Sequence, residues 1–467
     1  MRVAPLSIAS AVFIAAAQLR GPAPAPATLY EHARLIDGNG GAPVEDAAFV
    51  VDDGRITAIG PSASVVERDR GDRGRIGRRV DLTGRTVMPA LVNVHVHIGY
   101  EGYATWGAGN YTARNVLDHL QREAFYGVGA TVSVGSSPVD AAAEFQERQR
   151  NGQYALASRF LFVAGLAPPN GGPDAVLMKG TTALHAIYEV STAAEARAAV
   201  TAIAGKHIEH VKIWVDDRRG TYPKMPPAVF EAVVDEAHRR GMKVHAHATT
   251  LADQKAVVRA GVDVLVHTVG SERVDEEFLS LLRERKPYWT TVIGLGDRPE
   301  LCEPDPFVDE TLPPAVVASI RATTVARGLT ANCAPRPPAA AARDEILAYN
   351  VTKMFAAGAR LVLGTDAGIH PGYTFGTADH HEIARWVQFG IAPADAIVAA
   401  TRTPAELMGL RDMGTLAAGK SADFLVLAAN PLDDIRNTRR IAAVYLHGVR
   451  LDREALLAAW RRAPASH

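Results

Sequence analysis

One local pattern recurs along this chain: a short, β-branched apolar run carrying, at or near its end, a side chain that can bind metal. It first occurs where Val87-Met88-Pro89-Ala90-Leu91-Val92 runs into Val94-His95-Val96-His97. Alternation along a strand turns residues i and i+2 to one face, so the two imidazoles converge on one point. The pattern returns in Ile208-Glu209-His210-Val211-Lys212, Met242-Lys243-Val244-His245-Ala246-His247, Val262-Asp263-Val264-Leu265-Val266-His267 and Leu361-Val362-Leu363-Gly364-Thr365-Asp366. Three further strand-like runs, Ala130-Thr131-Val132-Ser133-Val134, Arg159-Phe160-Leu161-Phe162-Val163 and Tyr288-Trp289-Thr290-Thr291-Val292-Ile293, lie between them. That makes eight strands, with helical patterns such as residues 228–240 and 250–260 separating several of them. The chain is therefore expected to be α/β, folded as a (β/α)8 TIM barrel, whose functional side chains gather at the C-terminal ends of the strands. A lone His-x-His is equally compatible with two histidines held by local hydrogen bonds; the downstream series separates the two readings.

The order His-x-His, Lys, His, His, Asp along eight strands resembles the amidohydrolase superfamily. Within it, the chain is similar to the branch related to imidazolonepropionase and to metal-dependent Xaa-Pro and carboxypeptidase-like dipeptidases. The resemblance runs from about residue 29 to 452 and includes Thr401-Arg402-Thr403-Pro404-Ala405 and Gly414-Thr415-Leu416-Ala417-Ala418-Gly419-Lys420-Ser421-Ala422-Asp423-Phe424, where the last barrel helix returns to a small β domain. It implies a binuclear centre in which His95, His97 and Asp366 hold one divalent ion and His247 and His267 a second. Neutral imidazoles and a carboxylate suit zinc or a similar ion. It also implies that Lys212 is carboxylated by carbon dioxide, the carbamate bridging both metals; burial beside a dication favours the neutral amine this needs. A lysine salt-bridged to Asp216 or Asp217 is the alternative. At the fifth strand the family pattern, Ala-His-Ala followed by a polar residue or Tyr, aligns with Ala246-His247-Ala248-Thr249, which makes His247 the ligand and puts His245 one layer deeper.

What the resemblance implies chemically is hydrolysis of a C–N amide bond by a metal-bridging hydroxide. Asp366 would take the proton of the water and deliver it to the leaving nitrogen, while the second metal polarises the carbonyl. The expected substrate is an N-acyl amino acid, a dipeptide or a related small amide. A cyclic-amide hydrolase or a lactonase on the same centre is the alternative, and a non-catalytic binding protein on an inherited barrel is the reading from another class. Deaminase members usually hold one metal and lack the lysine, which sets deamination further back. Two positions depart from the family pattern. Thr249 stands where dipeptidase-like members often carry a tyrosine, so Tyr100, Tyr111 or His370 is a candidate substrate contact in its place; Asn93 stands where the usual Pro-Gly-Leu-Ile-Asp has its aspartate. The loop after the first strand, rich in Tyr and Trp, favours a substrate with an apolar or aromatic portion.

With 467 residues, 48% hydrophobic, there is ample chain for one large core and a satellite domain. A net charge of -1 argues against an electrostatic nucleic-acid partner. Turn-rich short strands in residues 29–59 and 422–449 suit a β-sandwich made by both chain ends, with expected boundaries 28–86 and 414–455 around a barrel of 87–413. Residues 1–27 read as an export signal and linker: Arg2, an apolar stretch too short to span a bilayer comfortably, Ala15-Ala16-Ala17, then Pro22-Ala23-Pro24-Ala25-Pro26. The mature protein is therefore expected to be periplasmic or secreted, without a membrane span; a homo-oligomer is compatible with the sequence. In an oxidising compartment Cys302 and Cys333, the two cysteines of the chain, are expected to bridge a Pro-rich insertion at residues 297–338.

Overall fold

The computed structural model describes residues 26–71, 76–102, 105–172, 184–296, 304–326, 338–369 and 374–462. Eight parallel strands follow one another in chain order: Leu91–Val96, Val128–Val134, Arg159–Ala167, His210–Trp214, Lys243–His247, Val264–Val266, Tyr288–Thr290 and Arg360–Leu361. All eight expected runs are there. Beyond the short eighth strand, backbone hydrogen bonds return to the first: Val94 N to Leu363 O at 2.8 Å, Asp366 N to His95 O at 2.9 Å, and a parallel bridge between Val96 and Ala367. The curled parallel sheet is consistent with a TIM barrel. Its strands are buried on both faces, as a parallel sheet wrapped in helices requires, and Val128–Val134 is buried at every position.

The wrapping helices start where side chains satisfy their free N–H groups. Thr112 accepts from Asn115 N ahead of Ala113–Phe125, Thr250 from Asp253 N ahead of Leu251–Ala260, and Thr192 forms a capping box with Glu195. Pro227 opens Pro227–Arg239, where a missing N–H costs nothing.

One expected strand divides. Thr86–Pro89 leaves the barrel and pairs antiparallel with Phe424–Leu427 and parallel with Ala27–Leu35, and only from Leu91 does the run join the barrel. Pro89 has no N–H to donate to a barrel neighbour, and Ala90 N goes to Asp423 O at 3.0 Å. The sheet it enters is built from both chain ends, in the order Val449–Arg450, Ile441–Leu446, Phe424–Leu427, Thr86–Pro89, Ala27–Leu35, Val44–Asp52, Arg55–Pro61, with Ile76–Asp81 also on Ala27–Leu35. Tyr30 stacks on Phe49 at 4.7 Å and Phe424 on Tyr445 at 4.4 Å, the two pairs meeting edge-on. The hairpin at Asp52-Asp53-Gly54-Arg55 turns through positive φ at both central residues, the twist two-residue hairpins require.

His119 ties the loop after the first barrel strand to its helix. Its Nδ1 accepts from Gly99 N at 3.0 Å and its Nε2 donates to Glu101 O at 3.1 Å, so the ring is neutral, and burial pushes its pKa down to about 3. The unfolded chain takes up this proton below about pH 6.5 while the folded chain refuses it, so His119 destabilises the fold progressively as pH falls from there to about 3. His119→Gln should remove up to one proton's worth of slope, about 1.4 kcal/mol per pH unit, over that interval. Denaturant titrations across the interval check this, and an unchanged slope contradicts a neutral His119.

Candidate metal centre

The two ends of the barrel sheet meet at Asp366. His95 Nε2 lies 2.7 Å from its Oδ1 and His97 Nε2 lies 3.2 Å from the same oxygen, with all three side chains buried. One donor atom from each falls within 4.8 Å of the others. Asp366 is turned into this position by a left-handed backbone, φ 61°, with Thr365 N and Asp366 N both donating to His95 O at 2.9 Å. Left-handed backbone at a non-glycine residue is strained and persists only when neighbours over-determine it. His97 Nδ1 is held by Ser136 Oγ at 2.8 Å.

A second pair stands beside the first. His247 Nδ1 and His267 Nε2 are 2.8 Å apart, and His267 Nε2 is 3.9 Å from Asp366 Oδ2, so one carboxylate faces both groups. His267 also has a left-handed backbone, φ 78°, and its carbonyl is pinned by Gln254 Nε2 at 3.0 Å and Trp289 Nε1 at 3.2 Å. His247 Nε2 lies 2.9 Å from Asp216 Oδ2. Asp216, the carboxylate that stood as an alternative partner for Lys212, thus faces a histidine on the next strand. Lys212 is buried with its ammonium 5.5 Å from the Trp214 ring centroid, and its charge depresses the pKa of His95, His247 and His267. His245 sits one layer deeper, its Nε2 2.9 Å from His210 Nδ1.

Burial pushes His95 down to about 3, and burial with the neighbouring His247 holds His267 well below its ordinary value. Burial opposes ionisation of Asp366, but the surrounding rings, hydrogen-bonded to it, outweigh it and hold the carboxyl well below the usual range. Neutral imidazoles around an ionised carboxylate are the protonation states metal binding requires, so these residues fit a divalent ion.

The groups line a cavity of about 790 Å³ whose wall also carries Arg218, Arg219 and Arg343. Tyr100 and Tyr111 are not among its lining residues. Tyr100 is fully buried, its hydroxyl donating to Ser136 O, and its ring packs on Tyr111 and Trp106. Tyr100 thus backs Ser136, the residue that holds His97. His370 lies outside the described residues, as do Cys302, Cys333 and residues 1–25. Sequence reasoning gave no role to Ser136, Gln254 or Glu382, and named Asp216 only as a partner for Lys212. Asp216 could have been placed by extending the same-face count from Lys212 through Trp214; Glu382, which accepts from Ile293 N at 2.9 Å and Gly294 N at 2.7 Å, reaches the loop after the seventh strand from a helix far along the chain.

The Amidohydrolase family profile matches residues 86–451, and the chain belongs to that family. It is 24% identical over 430 residues to 5-methylthioadenosine/S-adenosylhomocysteine deaminase of Halalkalibacterium halodurans, covering 86% of this chain and 84% of that one. A 67-residue stretch is 43% identical to adenine deaminase of Lactobacillus delbrueckii subsp. bulgaricus but spans 11% of that protein and 14% of this one. Among solved structures, phenylurea hydrolase B superposes with a TM-score of 0.70 at 24% identity, over 94% of this chain and all of the other. A Xaa-Pro dipeptidase with bound methionine in its active site gives 0.69 at 24%, over 91% and 99%. The protein is a metal-dependent hydrolase acting on C–N bonds.

Asp216→Ala should free the His247 ring and weaken metal retention roughly 10–100-fold, the usual cost of losing a carboxylate that orients a ligating histidine. Competition with a chromogenic chelator measures it; wild-type retention would show that Asp216 does not set the ring.

Proposed function

We propose that the protein hydrolyses the amide of an N-acyl amino acid, a dipeptide or a related small amide at a binuclear zinc centre. His95, His97 and Asp366 would hold one ion, His247 and His267 the other, with Lys212 as a carbamate between them. The observation that carries this reading is the single carboxylate of Asp366 facing both histidine groups. When bound, the ions acidify water and polarise a carbonyl. Asp366 would accept the water's proton and pass it to the leaving nitrogen; His97 is kept in register by Ser136, and Trp214 and Ile369 give the cavity apolar wall. Arg218, Arg219 and Arg343 on the same wall support a carboxylate on the substrate, since guanidinium groups bind that anion by charge-assisted hydrogen bonds.

A second reading, deamination, draws on the two deaminase relatives. Lys212, buried at the centre, favours the amide reading.

We extend the proposal to the rest of the chain. Residues 28–86 and 414–455 would form a sandwich-like domain beside a barrel of 87–413, the end-built sheet closing on its aromatic cluster. Residues 1–27 would direct export to the periplasm or medium, where Cys302 and Cys333 would pair. Among the described residues no helix is long and apolar enough to cross a membrane.

Mass spectrometry of zinc-loaded protein offered pooled N-acyl amino acids, dipeptides, cyclic amides and lactones tests the activity. Cleavage of a linear amide should fall by at least about 10²-fold in Asp366→Asn, the scale of a lost general acid–base group. Ring opening alone would favour the cyclic-amide or lactone alternative, ammonia release from an adenosine would favour deamination, and turnover surviving Asp366→Asn contradicts the mechanism. Lys212→Ala should hold fewer than two metals per chain by elemental analysis; two full equivalents would sink the carbamate.

A further inference from the structure

Behind the metal centre a buried amide joins the first strand to the eighth. Asn93 Oδ1 accepts from His95 N at 2.9 Å. Its Nδ2 donates twice, to Thr365 Oγ1 at 3.0 Å and to Asp379 Oδ1 at 2.8 Å. Thr365 Oγ1 in turn accepts from Ala367 N at 3.2 Å. Asn93, Thr365 and Asp379 are each 0% exposed. This chain of contacts grips the backbone at His95 and on the far side of Asp366, two of the residues whose spacing defines the first metal position. Both Nδ2 hydrogens and the Oδ1 are engaged, so the Asn93 amide has one orientation.

We propose that Asp379 is a positioning residue for the metal centre: by anchoring the Asn93 amide it fixes the separation of His95 and Asp366. Asp379 stands on the helix Thr377–Gln388, which also supplies Glu382 to the loop after the seventh strand. That helix is therefore pinned on both sides of the eighth strand and gives Asp379 a rigid base. Asp379 acts as a hydrogen-bond acceptor, not through its charge. Burial pushes its carboxyl up to about 8 and raises that of Glu123, also fully buried, well above its ordinary value. A neutral acid still accepts through a carbonyl-type oxygen, and so does an amide.

The inference rests on the metal centre proposed above, and its test separates the two. Metal-free wild type, Asp379→Asn and Asp379→Leu are titrated with Co²⁺, following the visible absorption bands that report ligand geometry, with folding checked by circular dichroism. Asp379→Asn, which keeps an acceptor, should bind within about threefold of wild type. Asp379→Leu should bind roughly 10–100-fold more weakly, with altered bands, the usual effect of losing an outer partner of a ligand set. A folded Asp379→Leu with wild-type affinity and spectrum overturns the proposal. So does an Asp379→Asn as impaired as Asp379→Leu, because charge would then be the operative property. If Asp379→Leu does not fold, Thr365→Val, which removes the other acceptor of the same amide, is read identically: weaker, altered binding supports the strut and unchanged binding overturns it. A wild type that takes up no Co²⁺ overturns the metal centre itself.

Discussion

The Asp366 carboxylate is the interaction on which the rest of this structure depends. It sits where the eighth strand returns to the first, accepts from two imidazoles on one side and faces a third on the other. An ionised group this deeply buried is expensive unless nearby donors replace water. Here the replacement comes from rings on the first and sixth strands, so the group that best explains the chemistry also draws the ends of the sheet together. The left-handed backbone at Asp366 and His267 is a local strain accepted in return, and the hydrogen bonds to His95 O and His267 O hold it in place.

Around that carboxylate two of the histidines have a second partner that holds the ring: Ser136 for His97 and Asp216 for His247. Each partner comes from just beyond a barrel strand, Ser136 after the second and Asp216 after the fourth, the region where a barrel places its functional loops. A divalent ion needs its donors neutral or ionised in advance and aimed at one point, and these outer contacts hold His97 and His247 in that way. Of the three arginines on the cavity wall, Arg218 is tied to this shell, its Nε 3.6 Å from Asp216 Oδ2 and its backbone N–H donating to Asp216 Oδ1 at 2.8 Å.

The strands and the candidate ligands were legible because both signals are local. Two-residue alternation puts His95 with His97 and His245 with His247, and the position at a strand's end says which member reaches the centre. Pro89 carried a local signal too, yet the division of the run at Ala90 went unread, because Val87-Met88-Pro89-Ala90-Leu91-Val92 is apolar throughout and only its pairing partners reveal two sheets. The aromatic loop carries a weaker signal for another physical reason: Tyr100 and Trp106 have apolar bodies that serve equally as cavity wall or as packing behind it, and composition cannot distinguish the two. Asp379 was illegible because its contact with Asn93 spans 286 residues and joins a helix to a strand. Asn93 itself could be singled out; what it touches could not.

Anomalous X-ray scattering at the zinc edge, from crystals grown with zinc, tests the central claim most directly. The account predicts one peak about 2.0–2.2 Å from His95 Nε2, His97 Nε2 and an Asp366 oxygen, and a second between His247 Nδ1 and His267 Nε2. Zinc bound elsewhere, with these side chains still hydrogen-bonded to one another, would contradict it.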